Sequence, residues 1–211
     1  MNEQFEELRE GYKSTELGVL PNDWDVVRLG DLVDVKGGKR LPKSHSFSST
    51  PTPYPYIRVI DFFNWSVKTT ELKYLTPEDR EIIKKYIITT DDVYISIAGT
   101  IGLVGSIPPE LNKANLTENA ARLSIRNPKT LDKLFLIGFL ASKRGQYEIR
   151  IRASKTSQPK LALNRIKEIP IPLPPLSEQQ KIASILSTVQ NAKEKTEAVI
   201  NAAKDLKRSM M

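Results

Sequence analysis

The chain of 211 residues has no cysteine. That excludes a disulfide framework, a thiol nucleophile and any cysteine-based metal site. It has one histidine, His45, so no histidine metal cluster and no catalytic triad can be assembled; His45 lies in a Ser/Pro-rich stretch and reads as a solvated loop residue. No run of 18 apolar residues occurs, so no membrane-spanning helix and no membrane partner are expected. Met1-Asn2-Glu3-Gln4 lacks the charged and apolar regions of a signal peptide. The expectation is an intracellular, cytoplasmic protein. From Leu176 to Met211 there is also no proline and no glycine.

That last stretch is what the rest of the chain leads into. Pro174 and Pro175 cannot lie inside a helix and fix where one begins. Ser177 and Gln180 have the spacing of a capping box. Beyond them the apolar period is seven: Ile182, Val189, Thr196, Ala203 and Met210 share one heptad position, and Ile185, Ala192, Val199 and Leu206 share its partner. Such a seam describes a helix of about 50 Å that packs along a second helix. The simpler reading is a C-terminal helix packed on its own domain, but the small residues in the seam suit a close helix pair better than a broad core face.

Charge is unevenly placed. The net charge is +7, which favours a polyanionic partner. Lys36 to Lys43 carries Lys36, Lys39, Arg40 and Lys43 with no acid. Ala141 to Lys167 carries Lys143, Arg144, Arg150, Arg152, Lys155, Lys160, Arg165 and Lys167 against Glu148 alone. Nucleic acid is the natural reader of such surfaces, because neutralised phosphates release counterions. A solvated basic face is the unliganded alternative.

Hydropathy patterning predicts a mixed α/β (α+β) domain. A short helix is expected over Phe5 to Tyr12, a turn-rich approach over Thr15 to Trp24, and a strand over Trp24 to Leu29. A long exposed loop is expected over Leu41 to Pro55, a strand over Tyr56 to Asp61, and an aromatic turn at Phe62 to Trp65. Thr76-Pro77-Glu78-Asp79 reads as a helix start, running to about Lys85. Val93 to Ala98 and Ile101 to Ile107 read as a hairpin, Ala120 to Ile125 as a strand, and Leu131 to Ser142 as a buried helix. Ile149 to Leu161 reads as irregular. Ile169 to Pro175, with alternate prolines, must be extended. The expected division is a globular domain over 1–174 and the long helix over 175–211.

Catalytic signals are weak. Asp61 with Glu71 and Lys73 imitates the metal-dependent nuclease pattern of spaced carboxylates and a lysine. Gly99, Gly102 and Gly105 form neither a dinucleotide fingerprint nor a P-loop, and Asn127-Pro128-Lys129 is not the tetrad of an amino-methyltransferase. Groups suited to reading bases or clamping phosphates are more prominent. They are Lys36, Lys39, Arg40 and Lys43 beside Gly37-Gly38, then Arg58 and Asn64 among aromatics. Last come Lys155, Thr156, Gln158 and Lys160 in a donor-rich loop, with the preceding Lys143, Arg144, Arg150 and Arg152.

Ser157 to Ala183 (SQPKLALNRIKEIPIPLPPLSEQQKIA) resembles the DNA specificity (S) subunits of type I restriction-modification systems. Leu17-Gly18-Val19-Leu20-Pro21 through Leu29-Gly30-Asp31-Leu32, and Gly99-Thr100-Ile101-Gly102, are similar to the opening and middle of their recognition domains. The resemblance implies a non-catalytic α/β target recognition domain that reads half of a split site in double-stranded DNA. It also implies a long helix that spaces two such domains in a coiled-coil-like arrangement and docks methyltransferase (M) subunits. No cofactor is expected on this chain; S-adenosylmethionine is expected on the M subunits and ATP on the restriction (R) subunit. The family pattern has two recognition domains and two long helices, whereas this chain has one of each. The expectation is therefore a homodimer joined through Ile182, Ile185, Val189, Ala192, Thr196, Val199, Ala203 and Leu206, reading a symmetric split site. Two alternatives stand beside it: an assembly half-subunit acting with a full S subunit, and the nuclease of Asp61, Glu71 and Lys73.

Overall fold

The structure, a computed structural model, describes residues 10–209. In chain order its strands and helices are β1 (Tyr12–Thr15), β2 (Gly18–Pro21), β3 (Asp25–Arg28), α1 (Leu29–Leu32), β4 (Val33–Gly37), β5 (Pro55–Ile57), β6 (Phe62–Phe63), β7 (Ser66–Val67) and β8 (Lys73–Tyr74). They continue as α2 (Pro77–Ile82), β9 (Ile87–Ile88), β10 (Asp92–Ser96), β11 (Val104–Gly105), β12 (Ala114–Leu116), β13 (Ala120–Ile125), α3 (Lys133–Ala141), α4 (Lys143–Arg152), α5 (Leu163–Lys167), β14 (Pro170–Leu173) and α6 (Leu176–Ser209). The helix expected over Phe5 to Tyr12 falls mostly outside the described residues, and Met210 of the expected seam lies outside them too.

Two four-stranded sheets carry the domain, in the orders β11-β10-β13-β4 and β8-β5-β12-β9. The first is antiparallel throughout. Its core joins Val93, Ile95 and Leu123 to Leu136 and Ile137 of α3, Ile149 of α4, Ile166 of α5 and Ala183 of α6. The second sheet contains the parallel pair β5–β12 and covers a smaller core around Ile57, Leu116, Tyr94 and Phe62. Phe62 and Tyr94 stack there with ring centroids 3.8 Å apart.

Several local expectations are corrected. The turn-rich approach is an antiparallel hairpin, β1–β2. The strand expected through Asp61 stops at Ile57, because Asp61 folds back and its Oδ2 accepts from the Arg58 amide (2.7 Å), capping a 3-10 turn. Phe62 to Val67 is a hairpin whose turn residues Asn64 and Trp65 have φ of 46° and 61°, the both-positive pattern of a two-residue I′ turn. The helix capped by Thr76 ends at Ile82 rather than near Lys85; the next carbonyl, of Ile83, accepts from the buried Asn115 side chain (2.8 Å). Of Ile101 to Ile107, only Val104–Gly105 pairs as a strand. Ile149 to Arg152 is helical, not irregular, as the end of α4. That helix starts where the Ser142 hydroxyl accepts from the Gly145 amide (3.1 Å), and i,i+4 ion pairs rather than an apolar stripe sustain it.

The long helix begins at Leu176, with the Pro175 carbonyl accepting from the amides of Glu178 (2.9 Å) and Gln179 (3.1 Å). Ser177 therefore lies in the first turn and is not a cap. The anchoring side chain is Gln179, fully buried, not the exposed Gln180. Gln179 donates to the carbonyls of Thr130 (3.0 Å) and Pro174 (2.8 Å) and accepts from the Asp132 amide (2.9 Å). Upstream, Pro170 and Pro172 sit in an edge strand paired with β3, where a missing N–H is tolerated. Along α6, Ala183 is in the core, Leu186 crosses α3 at Gly138, and Gln190 donates to the Asn64 carbonyl (3.2 Å). Glu197 accepts from the Asn64 amide group (2.9 Å). The domain thus holds the first two-thirds of the helix through one face. The heptad seam lies roughly 100° around the helix from that face. Ile182 is half-buried, but Ile185, Val189, Val199 and Leu206 are 60% to 69% exposed. Ala192, Thr196 and Ala203 between them are exposed as well.

Candidate nucleic-acid interface

Two basic loops that are 118 residues apart in the sequence, counted from Lys36 to Ser154, meet at one edge of the domain. Gly38 donates its amide to the Ala120 carbonyl (3.0 Å), and Lys39 donates to that of Leu116 (2.9 Å). A Cβ at Gly38 would sit 2.1 Å from the Thr117 carbonyl oxygen, so only glycine allows this approach. On the other side of the same turn, Ile97 donates to Asn119 (2.8 Å), Leu161 to Ile97 (2.9 Å) and Ser154 to Lys160 (2.9 Å). Ala98 and Lys160 form a β-bridge. The Thr117-Glu118-Asn119 turn therefore sits between the two loops.

This edge presents Lys39, Arg40, Lys43, Lys155, Thr156, Gln158 and Lys160, all exposed. Lys36 is exposed on β4, opposite Arg122 in the sheet register. Arg150 flanks the edge, sharing a small cavity of about 210 Å³ with Gly99 and Pro159. Lys143 is exposed at the far end of α4.

The remaining sequence candidates are placed differently. Arg144 and Arg152 clamp the buried Glu148 at 2.6 and 2.5 Å, and Arg144 also donates to the Glu16 carbonyl. Both charges are engaged by Glu148, with Arg152 mostly buried and Arg144 part-exposed. Asn64 is turned to α6. Arg58 lines the interface groove described below, but its Nε and Nη2 donate to the Asp61 carboxylate (3.0 and 2.7 Å) and Nη2 also to the Glu71 carbonyl (3.0 Å). The hydrogen bond to Asp61 raises the Arg58 pKa above its ordinary value. Asp61, 5% exposed, has both oxygens occupied by Arg58. Among the described residues no group of three or more His, Asp or Glu side chains is placed to hold a metal. Asp61 is a salt-bridged cap here, and the nuclease pattern with Glu71 and Lys73 has no geometric support.

A groove of about 730 Å³ opens beside the basic edge, lined by Arg40, Lys43, His45, Arg58, Glu118 and Asn119 among others. Ile60 stands at its rim, 77% exposed. His45 is not simply solvated: its Nδ1 pairs with the buried Asp79, pinning the loop. Glu118 and Asn119 were not singled out by sequence reasoning; a polar triplet just before an apolar strand was the available signal. Glu118 Oε1 accepts from Arg40 Nε (2.7 Å), and its Oε2 accepts from Thr117 Oγ1 (3.0 Å). Burial alone would raise the Glu118 pKa, but the hydrogen bonds from Arg40, from its own amide and from Thr117 outweigh it and hold the carboxylate below its ordinary range. Tyr56 beneath donates to the Lys39 carbonyl (3.0 Å), and burial pushes its phenol up to about 12. The arrangement is a fixed frame of polar groups beside a groove that Arg40 and Lys43 also line, with Lys155 and Lys160 on the far side of the Thr117–Asn119 turn.

The model of the type I restriction modification DNA specificity domain matches residues 21–204. The chain is 27% identical over 202 residues to the type I restriction enzyme MjaIX specificity subunit of Methanocaldococcus jannaschii, covering 92% of this chain and 45% of the relative. It superposes with a TM-score of 0.67 on a chain from a study of complex assembly and conformational transition of the type I R-M system, at 23% identity, over 90% of this chain and 44% of that one. Against the HsdS subunit of Thermoanaerobacter tengcongensis the TM-score is 0.61 at 23% identity, over 88% and 41%. The chain thus spans less than half the length of these relatives, and the match to solved structures shares its mixed sheet-and-helix domain with the long C-terminal helix. By the extent of the domain match, the chain belongs to the type I restriction modification DNA specificity domain family.

Proposed function

We propose that this chain is a non-catalytic DNA reader of a type I restriction-modification complex. Its basic edge binds double-stranded DNA, and two copies pair through α6 to read a symmetric, split site. The observation that carries the reading is the meeting of the Lys36–Lys43 and Ser154–Lys160 loops on either side of the Thr117–Asn119 turn, at the edge of a domain that rigidly holds a long helix with an exposed apolar seam. Exposed cations on both sides of that turn supply phosphate contacts that set position, and donors along the neighbouring groove supply contacts to bases.

The seam favours a second copy as its partner. In a two-fold antiparallel pair with full overlap, Ile182 meets Leu206, Ile185 meets Ala203, Val189 meets Val199 and Ala192 meets Thr196, every pair centred on Glu194. The outer pair, Ile182 and Leu206, is the largest, and the smallest, Ala192 and Thr196, flanks the centre, where the backbones can approach most closely. An isologous contact of this kind closes on itself. Two readers held at either end of helices of about 50 Å would contact half-sites separated by an unread spacer. In such a cytoplasmic complex, M subunits would bring S-adenosylmethionine and the R subunit ATP. The alternative of a half-subunit paired with a full-length S subunit uses the same seam with a different occupant.

Single replacement of Lys155, Gln158 or Lys160 by alanine is expected to weaken duplex binding while the melting temperature is retained, since all are exposed. Loss of each phosphate-contacting lysine should lower the slope of log affinity against log salt by about 0.9. Unaltered affinity and slope in a fluorescence titration would exclude this loop from the interface.

A further inference from the structure

We propose that Arg40 reads the edge of a guanine in the major groove and that Glu118 is its positioning residue. The inference rests on the DNA-reading function above and deepens it. Arg40 is the most deliberately held of the exposed cations on this edge. Its side chain is 75% exposed, yet its Nε is fixed on Glu118 at 2.7 Å. Its two Nη atoms make no hydrogen bond among the described residues, so a pair of donors is left available on a residue that lines the groove. Glu118 is held in turn, because Thr117 Oγ1 donates to its other oxygen at 3.0 Å. The neighbouring backbone is fixed by the Tyr56 hydroxyl, which donates its one proton to the Lys39 carbonyl at 3.0 Å, and by the packing of the Gly38 backbone against Leu116 and Thr117. Every atom that aims Arg40 is itself aimed.

The pairing also selects the ligand. A phosphate is attracted to a cation with an exposed positive field, and Lys39, Lys43, Lys155 and Lys160 offer that. Arg40 and Glu118 together carry no net charge, and the carboxylate repels an incoming phosphate. A neutral acceptor pair meets no such repulsion. Guanine offers N7 and O6 side by side in the major groove, matched to the paired donors of a guanidinium; adenine places a donor where O6 would be. Lysine cannot present the same planar pair.

The test is selection of duplexes from a randomised pool by the 211-residue chain, in the wild type and in Arg40→Ala, Arg40→Lys and Glu118→Gln. The wild type should show a guanine preference at one position of each half-site. Both Arg40 variants should lose it there, by about 5- to 150-fold, and keep their preferences elsewhere. Glu118→Gln should bind non-cognate duplex more tightly and raise the salt slope by about 0.9, because it frees the Arg40 charge for phosphate, while guanine discrimination falls. A residue that merely held the fold would not move the slope in that direction. Arg40 variants that bind uniformly more weakly with an unchanged base profile would overturn the inference and leave DNA reading intact. So would an Arg40-dependent preference for a base other than guanine. A wild type with no base preference at all would overturn the DNA-reading function together with the inference.

Discussion

Replacing Val189 and Val199 together by aspartate is expected to yield a monomer where the native chain is a dimer. In the antiparallel pair these residues face each other twice, so the double variant places four carboxylates in two apolar layers. Leaving an uncompensated charge buried costs about 3 kcal/mol or more. Four of them cost roughly 12 kcal/mol, the whole binding free energy of a nanomolar complex. The chain's own fold should be spared, because Val189 and Val199 are 62% and 69% exposed in the single chain. The contacts that fix α6 to the domain run through Gln179, Ala183, Leu186, Gln190 and Glu197 on another face. Sedimentation velocity reads the outcome directly. A dimer that persists in the double variant would place the interface elsewhere.

The second large effect is on stability. Glu148→Ala is expected to lower the unfolding free energy by about 3–5 kcal/mol. In a domain of this size that corresponds to a fall in melting temperature of roughly 6–20 °C. Glu148 is 3% exposed and is the shared counterion of Arg144 and Arg152. Arg144 is 41% exposed and can recover hydration, but Arg152, 16% exposed, cannot do so without unpacking α4. Most of the loss therefore comes from Arg152. Differential scanning calorimetry of the variant decides the matter; a melting temperature within a degree or two of the native one would mean that the pair is solvated in solution and free to meet DNA.

Glu148 also shows where the sequence was silent. Lys143 to Arg152 contains only scattered apolar residues, so nothing in its hydropathy announces a helix, and its arginines read as free cations. Both facts follow from one buried acid at i+4 from Arg144 and i−4 from Arg152, a relation visible only once the segment is known to be helical. The long helix was legible for the opposite reason: a proline stop, no later proline or glycine, and a seven-residue period all agree. Its true anchor, Gln179, was not legible, because its partners Thr130 and Asp132 are distant in the sequence. The extended Ile169 to Leu173 was dictated by its prolines. The binding edge was half legible. Its cations stand out by composition, but the Arg40–Glu118 pair spans 78 residues and depends on a glycine backbone lodged against another turn.

The measurement that tests the central claim most directly is the mass of the purified chain by light scattering, alone and on a duplex carrying two inverted half-sites. The account predicts a particle near twice 23.8 kDa in solution, and one such particle per duplex when bound. A chain that stays at 23.8 kDa both free and on DNA would contradict the symmetric reader and assign the seam of α6 to a different helix.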